Sequence, residues 1–204
     1  MTTKAKKLDP EISRRKFVTA AMAGATGIGL VSFATILGGL RPVPFITDAQ
    51  KPVEIGDVLV YAEGPKAGQP VGPDDLEKDG PYITVYPKGN DVVRSEGQGA
   101  TINAIMILKY ALSDISAPAK PEATADGVIA FSKLCPHLGC SVLAKGPDGN
   151  LPCPCHGSKF DGKSGEVLVA PSPRGLPQLP IKLENNQFVV SGKWLETVYG
   201  TVEA

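Results

Sequence analysis

All four cysteines and both histidines of this 204-residue chain fall within one short stretch, from Cys135 to His156. They form two boxes, Cys135-Pro136-His137-Leu138-Gly139-Cys140 and Cys153-Pro154-Cys155-His156-Gly157-Ser158. In each box a cysteine and a histidine lie a few residues apart on a Pro/Gly turn, so a thiolate and an imidazole can point at one void. Soft sulfur and imidazole donors exclude calcium and magnesium and leave zinc, copper or an iron–sulfur cluster. A Cys₂His₂ zinc site usually pairs C-x₂₋₄-C with H-x₃₋₅-H, whereas each turn here mixes the two donor types. A two-disulfide module would use the sulfurs and leave both histidines without a purpose.

The two boxes resemble those of the Rieske family, in which two cysteines bind one iron of a [2Fe–2S] cluster and two histidines the other. The resemblance covers roughly residues 128–183. It implies a β-rich, antiparallel β-sandwich head with a small cluster-binding subdomain. It makes Cys135 and Cys153 the thiolate ligands and His137 and His156 the imidazole ligands. It further implies a disulfide between Cys140 and Cys155, clamping the two loops and requiring an oxidising compartment. Ser158 matches a serine that donates to a bridging sulfide. Two places on, the quinol-oxidising branch commonly has a tyrosine where this chain has Phe160, so one donor is missing and a lower potential is expected. Ala170-Pro171-Ser172-Pro173-Arg174-Gly175 resembles the loop that covers the cluster on a third side, with Pro171 and Pro173 in place and Ala170 where glycine is usual.

What carries the boxes can be read around them. Gly and Pro number 23 and 19, favouring turns and short strands over long helices. Strands are expected at residues 53–61, 82–86, 101–108, 128–131, 166–169, 181–183 and 188–190, with Asn185-Asn186 as a hairpin turn. Residues 64–80 and 113–127 read as polar, proline-rich loops. The net charge of zero gives no sign of nucleic-acid binding.

Residues 1–16 carry six basic side chains against Asp9 and Glu11. Phe17–Leu40 then runs without a charge, and as a helix it would span about 36 Å against a hydrocarbon core of about 30 Å. Ala21, Ala25 and Gly29 recur at four-residue spacing, a face suited to close packing on another membrane helix. The basic flank places the N-terminus in the cytoplasm and the rest across a bacterial cytoplasmic membrane. Ser13-Arg14-Arg15-Lys16-Phe17-Val18 resembles a twin-arginine export signal. The expected division is a cytoplasmic basic segment (1–16), a transmembrane helix (17–40), a tether (41–52) with a hinge near Gly38–Pro44, and a head (53–204).

Taken together, anchor, tether and head resemble the Rieske subunit of cytochrome bc-type complexes. That resemblance implies an electron carrier that takes one electron from a quinol bound at a cytochrome b subunit and passes it to a c-type cytochrome. The imidazole of His156 would meet the quinol, with His137 as the second cluster imidazole and Leu138 beside the docking face. The lower potential expected from Phe160 suits a quinol such as menaquinol. The small Rieske subunit of an arsenite-oxidase-like molybdoenzyme is the alternative, favoured by Phe160 and the Val198-Tyr199-Gly200 tail.

Overall fold

The computed structural model describes residues 14–39 and 46–201. It divides into two compact units, residues 1–45 and residues 46–204. In the first, α1 (Arg14–Gly39) is a single helix of 26 residues, beginning about one turn before the expected start. Nothing in it breaks the ladder, because the first proline after it is Pro42. The hydroxyls of Thr19, Thr26 and Thr35 turn back onto the carbonyls of Arg15, Met22 and Ser32, each at 2.8 Å, so these three hydroxyls are satisfied within the helix. Arg14–Thr35 is long and apolar enough to cross a membrane. Of the expected hinge, Gly38 and Gly39 close α1 while residues 40–45 lie outside the described residues, as do residues 1–13 of the basic segment.

The second unit is mostly β. Strands β1 (Val58–Tyr61), β2 (Ile83–Gly89), β3 (Val92–Val93), β4 (Ile105–Lys109), β5 (Val128–Ser132), β9 (Ile181–Glu184) and β10 (Gln187–Val190) form one sheet. Its order is β5-β4-β2-β1-β10-β9, with β3 hydrogen-bonded to β2, and every ladder is antiparallel. A second sheet has the order β6-β7-β8, from Asn150–Pro152, Lys159–Asp161 and Val167–Val169.

Strands β4 and β5 explain how the two sheets share a core. Their sequences, IMILK and VIAFS, are apolar without alternation, the pattern of strands covered on both faces. Side chains alternate across a strand, so Ile105, Ile107, Val128 and Ala130 join one cluster with Leu59, Val85, Ile181 and Phe188. Met106, Leu108, Ile129 and Phe131 face the other way, against Leu151, Phe160, Val142 and the cysteines Cys135 and Cys153. The smaller sheet and the two boxes are thus built on the back of β4 and β5.

Asn185 and Asn186 both take left-handed φ, +49° and +61°, and make the expected two-residue turn between β9 and β10. Two strand expectations need correction. The segment expected as strand 101–108 begins as helix α2 (Gln98–Ile102), and β4 starts only at Ile105. Gly99 lies so close to the Ala49 carbonyl that an added Cβ would sit 2.7 Å from it, a packing that seats a helical turn against residues 49–50. The segment expected as strand 53–61 is extended only from Val58, because the Val53 and Glu54 amides bond Asn103 Oδ1 (2.9 Å) and Asp57 Oδ2 (2.8 Å) rather than a neighbouring strand.

That last region is a buried polar knot. Arg94 and Asp57 are almost fully buried and pair through Nε–Oδ2 at 2.7 Å and Nη2–Oδ1 at 3.2 Å, with Glu54 on the same guanidinium. The Asn103 amide donates to the carbonyls of Lys51 (2.8 Å) and Arg94 (3.0 Å). Residues 51–54 are therefore fixed by side-chain bonds, and backbone pairing takes over at Gly56 and Asp57, which bond Val190 of β10.

Candidate metal centre

Both boxes are built on one six-residue frame. The first is closed at its neck by a bridge between Leu134 and Ser141, the second by the β6–β7 pair Pro152 and Lys159. Inside each, the first residue's amide donates across the loop to the sixth residue's carbonyl: Cys135 to Cys140 at 2.8 Å, and Cys153 to Ser158 at 2.7 Å. The fifth residue's amide returns to the first carbonyl, Gly139 to Cys135 at 2.9 Å and Gly157 to Cys153 at 3.1 Å. This tight return needs the left-handed backbone that both glycines supply, at φ +75° and +80°. The frame turns the first-position cysteines inward; Cys135 and Cys153 are free thiols, 1% and 2% exposed.

The frames differ in where they put histidine and the remaining cysteine. Cys140, sixth in the first loop, is bonded to Cys155, third in the second, at 2.08 Å. The disulfide expected from sequence is present and ties the two loops through cysteines 15 residues apart. The sulfurs of Cys140, Cys153 and Cys155 all lie within 4.8 Å of one another. Two of these are consumed in the disulfide and carry no thiolate charge, so Cys135 and Cys153 remain as the sulfur donors available to a metal.

His137 is half-buried and His156 exposed. Their Nδ1 atoms are 3.2 Å apart, and the rings meet edge to face at 89°. Two imidazole nitrogens sharing one ion at about 2.1 Å and a tetrahedral angle would be roughly 3.4 Å apart. The observed spacing fits a pair of nitrogen donors on one metal. The donor set is therefore sorted by depth, with two buried thiols inward and two imidazoles toward solvent, which suits a cluster of two irons with unlike ligands.

Burial pushes the Cys135 thiol up in pKa, opposed by the backbone amide of His137 and the Ser158 hydroxyl. Ser158 is fully buried, and its oxygen accepts the Ser172 amide at 2.9 Å. Phe160, two places on, is fully buried in β7 within the same apolar cluster as Cys135 and Cys153. Pro171 and Pro173 are exposed on the loop after β8, with a cis bond between Ala170 and Pro171. Leu138, at the tip of the first loop, is 54% exposed.

Two contacts at the site had not been expected. One is the Ser172 amide on Ser158; its only sequence trace is the Ala170–Gly175 loop itself. The other is the ring of Tyr199 against Gly139, where an added Cβ would lie 2.5 Å from Cδ1. No spacing rule connects residues 60 apart in this way.

The Rieske [2Fe-2S] domain family matches residues 84–180, from within β2 to the residue before β9, and so includes both loops. The chain is 29% identical over 184 residues to the putative respiratory nitrate reductase subunit Rieske of Haloferax mediterranei, covering 88% of this chain and 76% of that one. It is 28% identical over 181 residues to the cytochrome bc1 complex Rieske iron-sulfur subunit of Streptomyces coelicolor, covering 87% of this chain but only 50% of the relative. It is 29% identical over 195 residues to the cytochrome b6-f complex iron-sulfur subunit 1 of a Nostoc species, covering 95% and 92%. The chain thus spans about half of the actinobacterial relative and most of the other two. Residues 84–180, which take in both thiol- and imidazole-bearing loops and the disulfide formed between them, are thus a Rieske [2Fe-2S] domain, and the cofactor of this chain is a [2Fe–2S] cluster.

Proposed function

We propose that the chain is the electron-transfer subunit of a membrane quinol-oxidising complex of the cytochrome bc type. Cys135 and Cys153 hold one iron of its cluster, and His137 and His156 hold the other. The observation that carries this reading is the 3.2 Å approach of the two Nδ1 atoms at the solvent-facing edge of the site. A [2Fe–2S] cluster held by these four residues would supply one-electron redox chemistry.

The chain's own residues supply the rest. With Nδ1 of His156 turned inward to its partner, Nε2 lies on the opposite edge of an exposed ring, where it can hold or release a proton. A quinol hydroxyl donating to that nitrogen would pass its proton there as its electron leaves. Leu138 adds an apolar rim suited to the quinone ring, and a c-type cytochrome is the acceptor. Helix α1 supplies a single-pass anchor. The basic residues 1–16 and the twin-arginine-like Ser13–Val18 support a cytoplasmic N-terminus and a head outside a bacterial cytoplasmic membrane, where the disulfide would be stable. Residues 17–40 serve as anchor, 41–52 as tether and 53–204 as head, with the cluster subdomain at about 128–183.

Phe160 brings no hydroxyl to the sulfur ligands, which lowers the potential and suits a quinol such as menaquinol. A redox titration of Phe160→Tyr tests this; the midpoint should rise, and an unchanged value would remove the argument. A second reading, the Rieske subunit of a molybdenum enzyme, is favoured by Phe160 and by the Haloferax relative's description as a nitrate reductase subunit. Purifying the intact complex in mild detergent separates the two. A dihaem cytochrome b should co-purify, and a molybdopterin-bearing partner instead would overturn the first reading. EPR of the reduced protein tests the ligation, and a colourless zinc-bound head would sink both.

A further inference from the structure

The two cluster loops share their frame, yet their glycines stand in unlike surroundings. A Cβ on Gly157 would meet nothing within 4 Å among the described residues. One on Gly139 would meet the ring of Tyr199, at 2.5 Å from Cδ1, 2.6 Å from Cε1 and 3.4 Å from Cγ. The Cδ1–Cε1 edge of the ring thus occupies the space a side chain would need at Gly139, the residue next to Leu138 and two after His137.

The segment bearing that ring is itself held. Val198 is 1% exposed, and its carbonyl accepts the amide (3.2 Å) and hydroxyl (2.8 Å) of Thr201 in a turn completed by Gly200 at φ +80°. The Gly200 carbonyl accepts from Gln98 Nε2 at 3.5 Å, beside α2. Tyr199 therefore presses on the first loop from an anchored turn, and among the described residues nothing stands at the matching place on Gly157. The imidazoles differ in the same sense, His137 being half-buried and His156 exposed.

We propose that Tyr199 is a positioning residue for the Cys135–Cys140 loop. Its ring holds that loop closed, so that His137 is retained as a fixed ligand while the second loop leaves His156 free to meet a partner. The consequence for the cluster rests on the ligand assignment proposed above; the closure of the loop does not. A rigid aromatic ring suits this task, because only a glycine with no side chain lets it approach the backbone so nearly.

The two glycine amides are matched probes, since each donates to the carbonyl of its own loop's first cysteine. Amide hydrogen exchange at Gly139 and Gly157 is to be measured on the full chain in detergent, with and without cluster, for wild type, Tyr199→Phe, Tyr199→Leu and Tyr199→Ala. Tyr199→Ala should speed exchange at Gly139 by about ten-fold, the loss expected for one ring contact, and leave Gly157 unchanged. Tyr199→Phe should match wild type, and Tyr199→Leu should fall between and carry the test if the alanine variant fails to fold. On the loaded protein, pulsed EPR should show one of two nitrogen couplings shifted in Tyr199→Ala. Unchanged exchange at Gly139, or equal acceleration at both glycines, would overturn the proposal. A wild-type spectrum lacking two nitrogen couplings would instead refute the ligand assignment, and the exchange result would still decide the role of Tyr199.

Discussion

Ser158→Ala gives the most demanding test of the site's electrostatics. The hydroxyl is fully buried and accepts the Ser172 amide at 2.9 Å, so its single proton is left to donate elsewhere. The Cys135 sulfur is the group whose pKa that hydroxyl helps to lower. A hydrogen bond to a charged acceptor contributes about 1.5–3 kcal/mol. If the electron added on reduction strengthens it by about 1–2 kcal/mol, removing it lowers the midpoint by roughly 45–90 mV, since 59 mV corresponds to ten-fold for one electron. The same substitution strands the Ser172 amide in a buried place, at a cost of about 1–3 kcal/mol in stability. Spectroelectrochemical titration followed by EPR reads the first effect and thermal unfolding the second. An intact reduced-cluster signal with an unmoved midpoint would show that the Ser158 proton does not point at the sulfur side, and the reasoning would fail.

Other outcomes follow from features away from that hydroxyl. Replacing Cys140 and Cys155 together by serine opens a link across 15 residues; stability should fall by about 3 kcal/mol in denaturant titrations and the cluster should bleach faster under chelator. Arg94→Met leaves the Asp57 carboxylate buried without its partner and should cost about 3–5 kcal/mol, whereas Arg94→Met with Asp57→Leu should recover most of that loss in urea unfolding. The Asp75 carboxylate is held below its usual pKa by the Lys66 ammonium, 2.6 Å away, and then by the Gly72 amide at 2.9 Å. Because the folded value is the lower one, this contribution is complete above the unfolded pKa of about 3.9 and drains as pH falls through the folded value. Asp75→Asn should therefore be less stable than wild type by about 1 kcal/mol at neutral pH, with the gap closing under acid in pH-resolved unfolding.

Much of the site was legible because its chemistry is local. Six consecutive residues define each loop, and the sulfur and imidazole types within them are unambiguous. Asn185-Asn186 was legible for a similar reason, since only a few residues tolerate two left-handed positions in succession. Helix α1 announces itself by length alone. Less was readable where structure depends on distant partners. Strands β3, β6 and β7 are two or three residues long, too short to show a period, and exist because β2 and the second cluster loop pair them. Arg94 and Asp57 are 37 residues apart, and neither residue's neighbours hint at a buried ion pair. Residues 53–54 look like strand in composition, but Asn103 and Asp57 take up the two amides that a ladder would need.

The shared loop frame has a consequence for speed. Amide-to-carbonyl bonds within each loop, a neck pair beneath it and a covalent link between the two leave the donor atoms little room to shift when charge arrives. A redox centre gripped this way undergoes small nuclear rearrangement between its two oxidation states, because the surrounding dipoles are already set. With the proposed ligands holding the cluster, the tempo of turnover would be governed by encounter with donor and acceptor and not by relaxation of the protein around the metal.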